Sequence, residues 1–361
     1  RRPVIVHDVP PPDEIDRTAR GIASAVAVDG ALDPVQASLL SAVFEALYGI
    51  HFDPTAFEPV SPQELAQVLA DRDVIARRRI VHHMVLAELI LRPIPPEVAR
   101  RVSTYADALD IEDQFVRIAR RYAQGAFGLA WLDLHHSGFA EHWQAARMDQ
   151  LKTSAELPGQ LSGGVEDPEL AARWADFEQL PHDTLGHAVW EMYRGRGFVL
   201  PGSAGGASAY LAQHDFVHVL ADYGTNLFGE LEVFALIGRA DPDPKGFAWL
   251  ATLIGLFETG YVASAGFFDG DLQQRHLDSP GMHARLADAL SRGKVLCDTL
   301  GVDLLEVDYH AYVSEPVHET RAVLGLPPKS AKAQAAGSPG VFDRSGMSVL
   351  QQQYAAALDE R

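Results

Sequence analysis

Cysteine is almost absent from this sequence. Its 361 residues include a single cysteine, Cys297, which excludes a disulfide framework and a cysteine-based zinc site and is typical of a reducing compartment. A tightly bound metal ion would therefore need histidine and carboxylate ligands. The chain has 15 histidines and 49 acidic residues, so such ligands are available.

Basic side chains are also scarce. The 30 lysines and arginines are outnumbered by the acidic residues, and the formal net charge is −19. Nucleic-acid phosphates and strongly anionic membranes both attract clustered basic surfaces. We therefore expect no nucleic-acid partner.

Long hydrophobic runs are few. The first residues lack the apolar core of a secretory signal, so we expect a cytoplasmic protein. The best candidate span, residues 247–268, carries Glu258 at its centre, where a charge is costly in lipid. We interpret the span as a buried helix. The alternative is the wall of a tunnel for a hydrophobic chain, with Glu258 either a hydrogen-bonded core residue or a pocket acid with a raised pKa.

Alternating polar and apolar runs are nearly missing, which predicts an all-α fold. Asp33-Pro34 and Gly49 are typical of a helix start and end, and Ser61 with Glu64 forms a capping-box pattern. Further helices are predicted at 73–91, after 95–96 and at 111–124.

Composition divides the chain into four parts. A stretch rich in glycine, proline and acid predicts a linker, and a weakly apolar stretch near the C-terminus predicts a flexible tail. The predicted parts are an N-terminal helical module (1–154), the linker (155–168), a C-terminal metal-binding helical domain (169–327) and the tail (328–361).

Two N-terminal segments, 25–36 and 87–111, resemble TerB-like (tellurite-resistance B) helical modules. In that family, acidic residues near the first segment's Asp-Gly turn are thought to bind metal. Gln36 stands where the resemblance leads us to expect a glutamate. We therefore expect a structural or interaction role for this half.

The segment His214-Asp215-Phe216-Val217-His218 carries the most chemical information. Residues four apart share a helix face, so His214 and His218 can reach one ion. Asp215 lies roughly 100° round the helix and could be an edge ligand or a group that orients a histidine. Histidine pairs at this spacing also arise by coincidence, so the residues alone leave metal binding open.

Glu230 follows His218 by 12 residues, or roughly 18 Å along one unbroken helix, too far to share an ion. The chain must turn back between them. Gly224 suits a helix C-cap, and Thr225 and Asn226 are good N-cap residues. A second helix starting near Asn226 would return Glu230 to the histidines.

The stretch 214–232 resembles the signature of the ubiquinone (coenzyme Q) biosynthesis protein 4 family, which is HDxxH, eleven residues, then glutamate. Segments 180–193 and 292–327 are similar to further blocks of that family, and the resemblance covers about 167–327. It implies an all-helical fold and a divalent ion, zinc first, at His214, Asp215, His218 and Glu230. The same ligand types would also suit iron or manganese.

The resemblance further implies a hydrophobic aromatic, quinone-like or prenylated substrate, modified by removal of the ring carboxyl with hydroxylation. It also implies contact with a membrane surface or a biosynthetic complex, and we expect a homo-oligomer. His187 and the residues 209–213 depart from the family pattern. A diverged enzyme of polyketide or polyene metabolism and a non-catalytic lipid-binding scaffold therefore remain alternatives.

His182 and His187 imitate a second metal motif. Their spacing of five places them on different helix faces, and Asp183 or Thr184 is more simply a helix N-cap. The structural interpretation is the simpler one. The functional alternative places His187 in the substrate pocket.

Overall fold

A computed structural model of the chain describes residues 11–91, 95–111, 166–241, 249–250, 253–254, 276–301 and 303–359. Within these ranges the chain forms 13 α-helices and no β-strand, so the all-α prediction is confirmed. No helix among these residues is long and apolar enough to span a bilayer. The predicted helix at 111–124, most of the linker and most of 247–268, including Glu258, lie outside the described residues.

The N-terminal helices begin and end where local signals predict. The helices are α1 (Pro12–Val26), α2 (Pro34–Tyr48), α3 (Pro62–Val68), α4 (Val74–Leu89) and α5 (Pro96–Ala108). Asp33 caps α2 and left-handed Gly49 ends it, while Ser61 and Glu64 form the capping box of α3. These caps satisfy backbone N–H groups that a helix leaves without partners.

Gln36 has a structural role in this half. Its amide nitrogen donates to the carbonyl oxygens of Val26 and Ala87 at 3.0 and 2.9 Å, and the residue is fully buried. Its side-chain oxygen accepts from the backbone N–H of Asp33. A glutamine can donate and accept in this way, whereas an ionised glutamate only accepts.

The C-terminal half places two helices around the candidate site and packs others behind them. The helices are α6 (Pro168–Ala175), α7 (Leu185–Arg196), α8 (Gln213–Ala221), α9 (Leu227–Ala240), α10 (Met282–Thr299) and α11 (Val317–Leu324). Helix α10 packs along both α9 and α2, so the two halves share one apolar core. Polar contacts join them at the surface, where Glu45 pairs with His283 and Lys332.

The last part of the chain corrects the prediction of a flexible tail. Residues 328–359 include α12 (Ala331–Ala335) and α13 (Val349–Asp359), and α13 packs on α7. Lys329, Ser348 and Gln351 are buried. The low apolar content misled the prediction because this segment is held largely by backbone hydrogen bonds and polar side chains, which leave no hydrophobic periodicity.

Candidate metal centre

Helices α8 and α9 form the predicted hairpin. Asn226 caps α9 by accepting from the backbone N–H of Gly229, as the sequence indicates. The end of α8 differs from the prediction, because Asp222 and not Gly224 adopts the left-handed conformation, with φ 60°. The Asp222 carboxylate accepts from the backbone N–H of Val341, which helps to hold this conformation.

The hairpin brings His214, His218 and Glu230 together. One ligand atom from each lies within 4.8 Å of the others, and these three form a group that could hold a metal ion. The Nε2 atom of His218 is 3.2 Å from Glu230 Oε1, and that of His214 is 3.8 Å from Glu230 Oε2. The two imidazole centroids are 5.3 Å apart.

The other ring nitrogens face backbone carbonyl groups. His214 Nδ1 lies within hydrogen-bond distance of the Leu211 oxygen, and His218 Nδ1 is 3.4 Å from the Tyr223 oxygen. A carbonyl oxygen only accepts, so each Nδ1 donates its proton there and each ring presents Nε2, which carries the lone pair whenever the imidazole is neutral. Among the described residues, His218 Nε2 has no well-aligned hydrogen-bond partner. Both Nε2 atoms therefore face the glutamate, the orientation that metal-binding imidazoles require.

Asp215 lies beside this group without joining it. Its Oδ1 atom is 3.7 Å from His214 Nε2, while its Oδ2 atom accepts a 2.6 Å hydrogen bond from the Tyr193 hydroxyl. Asp215 and Tyr193 are both buried. In this geometry Asp215 is oriented by α7 and acts on the centre from its edge.

Charge around the centre is balanced by Arg196 of α7. Burial lowers the pKa of Arg196 to about 10, against the raising effect of Asp215, Glu191 and Glu230, so the guanidinium stays charged at neutral pH. Burial also acts to raise the pKa of Glu230, but His218, His214 and Arg196 outweigh it and the net shift is downward. The glutamate is therefore an anion, the form that binds a cation.

The centre is partly exposed at one edge, at Glu230. The side chains of His218 and His214 are 0% and 4% exposed, whereas that of Glu230 is 18% exposed. On the apolar side, the ring centroid of Phe234 lies 5.4 Å from that of His214 and 5.7 Å from that of Trp249. An ion here would have three protein ligands, solvent access at the glutamate and aromatic surroundings.

His187 contacts His182 and is not part of the His214, His218 and Glu230 group. His182 precedes α7 and is not helical, so its Nδ1 atom can reach His187 Nε2 at 2.8 Å, and the expectation of diverging faces is wrong. Thr184 is the N-cap of α7, as predicted. The His187 ring also stacks near Trp190. These contacts agree with the structural interpretation of His187.

Tyr193 and Arg196 are the site residues that sequence reasoning did not single out. Tyr193 falls inside the quoted segment 180–193, but its contact with Asp215 joins residues 22 apart on different helices. Helical periodicity places Tyr193 and Arg196 on α7 but does not predict which other helix they face. Pairing them with α8 requires the tertiary packing.

No family model, curated protein or solved structure matches the chain. The similarity to the ubiquinone biosynthesis protein 4 family therefore stays a prediction from the motif.

Proposed function

We propose that the protein is a divalent-metal-dependent enzyme that modifies a hydrophobic aromatic or quinone-like substrate, with zinc as its ion. The observation that carries the proposal is the pair of Nε2 atoms directed at Glu230, beside the aromatic ring of Phe234. Two imidazoles and a carboxylate that face one another are costly to bury, and a bound cation offsets that cost.

Three protein ligands with an exposed edge are typical of catalytic metal sites, because structural zinc sites are usually closed by four. His214, His218 and Glu230 would hold the ion, and Asp215 would complete the shell from its edge. When bound, a zinc ion would polarise a substrate oxygen or activate water, whereas iron or manganese would also serve to activate dioxygen. Iron and manganese are the alternative ions, since two histidines and one carboxylate also suit them.

Other residues of the chain would orient Asp215, supply positive charge and surround the substrate. Tyr193 donates to Asp215 and fixes that carboxylate, while Arg196 supplies a buried positive charge beside the acids. Phe234 lies next to His214 and Trp249 packs against Phe234, an aromatic environment that suits a flat, apolar ring. The resemblance to a ubiquinone biosynthesis family points to release of the ring carboxyl as carbon dioxide with hydroxylation at that carbon, a two-electron oxidation for which dioxygen would be the oxidant.

Native mass spectrometry of the purified wild type tests the proposal. We expect one divalent ion per chain and a co-purified hydrophobic molecule, with the ion missing from His214→Ala. Wild-type protein without a stoichiometric ion would overturn the metal-dependent function. Iron or manganese in place of zinc would overturn the choice of ion alone.

A lipid-binding scaffold is the second candidate, because the ligands come from α8 and α9 and an ion would tie these helices together. The substitution Glu230→Gln distinguishes an enzyme from a scaffold, since it keeps the side-chain shape and removes the charge. With a short-chain prenylated hydroxybenzoate as probe, the enzyme should lose release of carbon dioxide in this variant and still bind the probe. A wild type that binds the probe and releases no carbon dioxide favours the scaffold.

A further inference from the structure

The turn between α8 and α9 is built on the C-terminal part of the chain. The backbone N–H groups of Thr225 and Asn226 both donate to the carbonyl oxygen of Gly346, at 2.7 and 2.9 Å. The Asn226 side chain donates to the Ser345 oxygen at 3.0 Å. Three of the turn's donors are therefore satisfied by residues about 120 positions later.

Thr225 adds a buried side-chain network. Its hydroxyl accepts from Arg196 Nε and donates to Gln351 Oε1 at 2.8 Å. The Gln351 amide donates back to the Thr225 carbonyl oxygen at 3.3 Å. Arg196 also donates to the Val341 oxygen, so one guanidinium bridges the turn and the last part of the chain. All of these polar groups are buried, which makes their loss costly.

The two segments approach too closely for side chains. A Cβ atom on Gly224 would lie 2.6 Å from the Cα atom of Gly346, and one on Gly346 would lie 3.0 Å from the Cα atom of Gly224. A side chain at either position would therefore push the turn and the segment around residue 346 apart.

The same turn positions His218 and Glu230, two of the proposed metal ligands. The Tyr223 oxygen lies 3.4 Å from His218 Nδ1 and fixes the orientation of that ring. Asn226 caps α9, and its carbonyl oxygen accepts from the backbone N–H of Glu230 at 2.9 Å. A shift of the turn would therefore move the His218 ring and the Glu230 carboxylate relative to each other.

We propose that residues 341–351 act as a clasp that positions the metal site, with Thr225 and Gln351 as positioning residues. The clasp lies outside the family-like part of the chain, 167–327. The inference rests on the proposed metal centre. By thermodynamic linkage, a clasp that strengthens metal binding is itself held more tightly when the metal is bound.

Zinc affinity of the full-length chain tests the clasp through a matched pair of substitutions. Thr225→Val keeps the size of the side chain and removes the hydroxyl, whereas Thr225→Ser keeps the hydroxyl. Competition with a chromophoric chelator should show zinc binding about tenfold weaker in Thr225→Val, as is typical for residues that orient ligands. Thr225→Ser should stay within about twofold of the wild type.

A third variant separates positioning from general loosening. Ser330→Ala removes the cap of α12, where the Ser330 hydroxyl accepts from the backbone N–H of Ala333, and leaves the turn untouched. It should lower thermal stability and leave zinc affinity unchanged. Equal weakening of zinc binding in Ser330→Ala and Thr225→Val would overturn the positioning role, because any loosening would then suffice.

Hydrogen exchange measures the reverse direction of the coupling. Adding zinc to the wild type should slow amide exchange in residues 341–351, and adding it to Glu230→Gln should not. Unchanged exchange in zinc-loaded wild type would overturn the clasp and leave the metal centre standing. A wild type that binds no zinc in the chelator assay would overturn both.

Discussion

Two pairs of histidines are buried in different halves of the chain, and their surroundings carry opposite charge. Burial, together with the charges of Arg239 and Arg79, lowers the pKa of His83 on α4 to about 3. His214 and His218 on α8 instead face the carboxylate of Glu230. Burial beside cations keeps a histidine neutral and inert, whereas burial beside carboxylates produces a site for a cation.

Spacing separates the two pairs as clearly as charge does. His82 and His83 are adjacent on α4, so their rings diverge by roughly 100°, and His83 Nδ1 contacts the Tyr48 hydroxyl at 3.1 Å. His214 and His218 are one turn apart, and their centroids are 5.3 Å from each other. Spacing, a returning carboxylate and ring orientation together distinguish the second pair.

The largest expected effect is loss of the metal from one pair alone. His218→Gln should remove the stoichiometric ion, because it deletes a ligand whose Nε2 faces Glu230. His83→Gln makes the same change at a buried histidine with cationic neighbours and should keep the ion. Elemental analysis of the two purified variants beside the wild type measures this. Equal metal content in both would contradict the assignment of the site to α8 and α9.

The sequence predicts the fold class and the helix boundaries well because both depend on local patterns. Helix caps at Asp33, Ser61 and Asn226 are short-range signals that the structure confirms. The HDxxH spacing predicts a shared helix face for His214 and His218, whose ring centroids lie 5.3 Å apart, and metal binding there stays a prediction. The turn could be predicted to exist, but the choice of Asp222 as its left-handed residue could not. That choice depends on Val341, which lies more than 100 residues away.

The ordered structure of residues 328–359 and the contact of Tyr193 with Asp215 could not be predicted from the sequence, for the same physical reason. Gln351 and Lys329 are polar residues that are buried by partners far along the chain, and composition describes them as solvent-exposed. Tyr193 reaches Asp215 across two helices. Long-range polar contacts leave no periodic signal, so such residues are found by packing alone.

Replacing Gln36 tests whether the N-terminal half has any metal role. Gln36→Glu preserves shape but turns a donor toward the Val26 and Ala87 oxygens into an acceptor. A buried carboxylate against two carbonyl oxygens should lower the free energy of unfolding by about 3 kcal/mol. Denaturant titration measures the loss. A variant that gains a bound ion and keeps its stability would instead support a TerB-like metal site.

Acid sensitivity should come from the N-terminal pair. In the unfolded chain His83 titrates near 6.5, whereas in the folded chain it stays neutral down to about 3. The unfolded state therefore binds more protons below pH 6.5, and the free energy of unfolding falls as the pH drops. At pH 5 this single group should cost about 2 kcal/mol relative to pH 8. His82, whose pKa is also lowered by burial, acts in the same direction.

Denaturant titrations of metal-free protein at pH 8 and pH 5 measure this loss without a contribution from ion release. His83→Gln removes the titrating ring and should show a pH dependence about 2 kcal/mol smaller than the wild type. Parallel curves for the two proteins would contradict a neutral, buried His83.

The smallest expected effect distinguishes orientation of Asp215 from simple burial. Tyr193→Phe removes the 2.6 Å hydrogen bond to Asp215 Oδ2 and should weaken zinc binding about tenfold, which corresponds to about 1.4 kcal/mol. Tyr309→Phe is a matched control. Its hydroxyl is also buried but has no hydrogen-bond partner in the described part of the chain, so zinc affinity should not change. Equal zinc affinity in the two variants would mean that Asp215 needs no orientation from α7 and that the three ligands bind the ion without it.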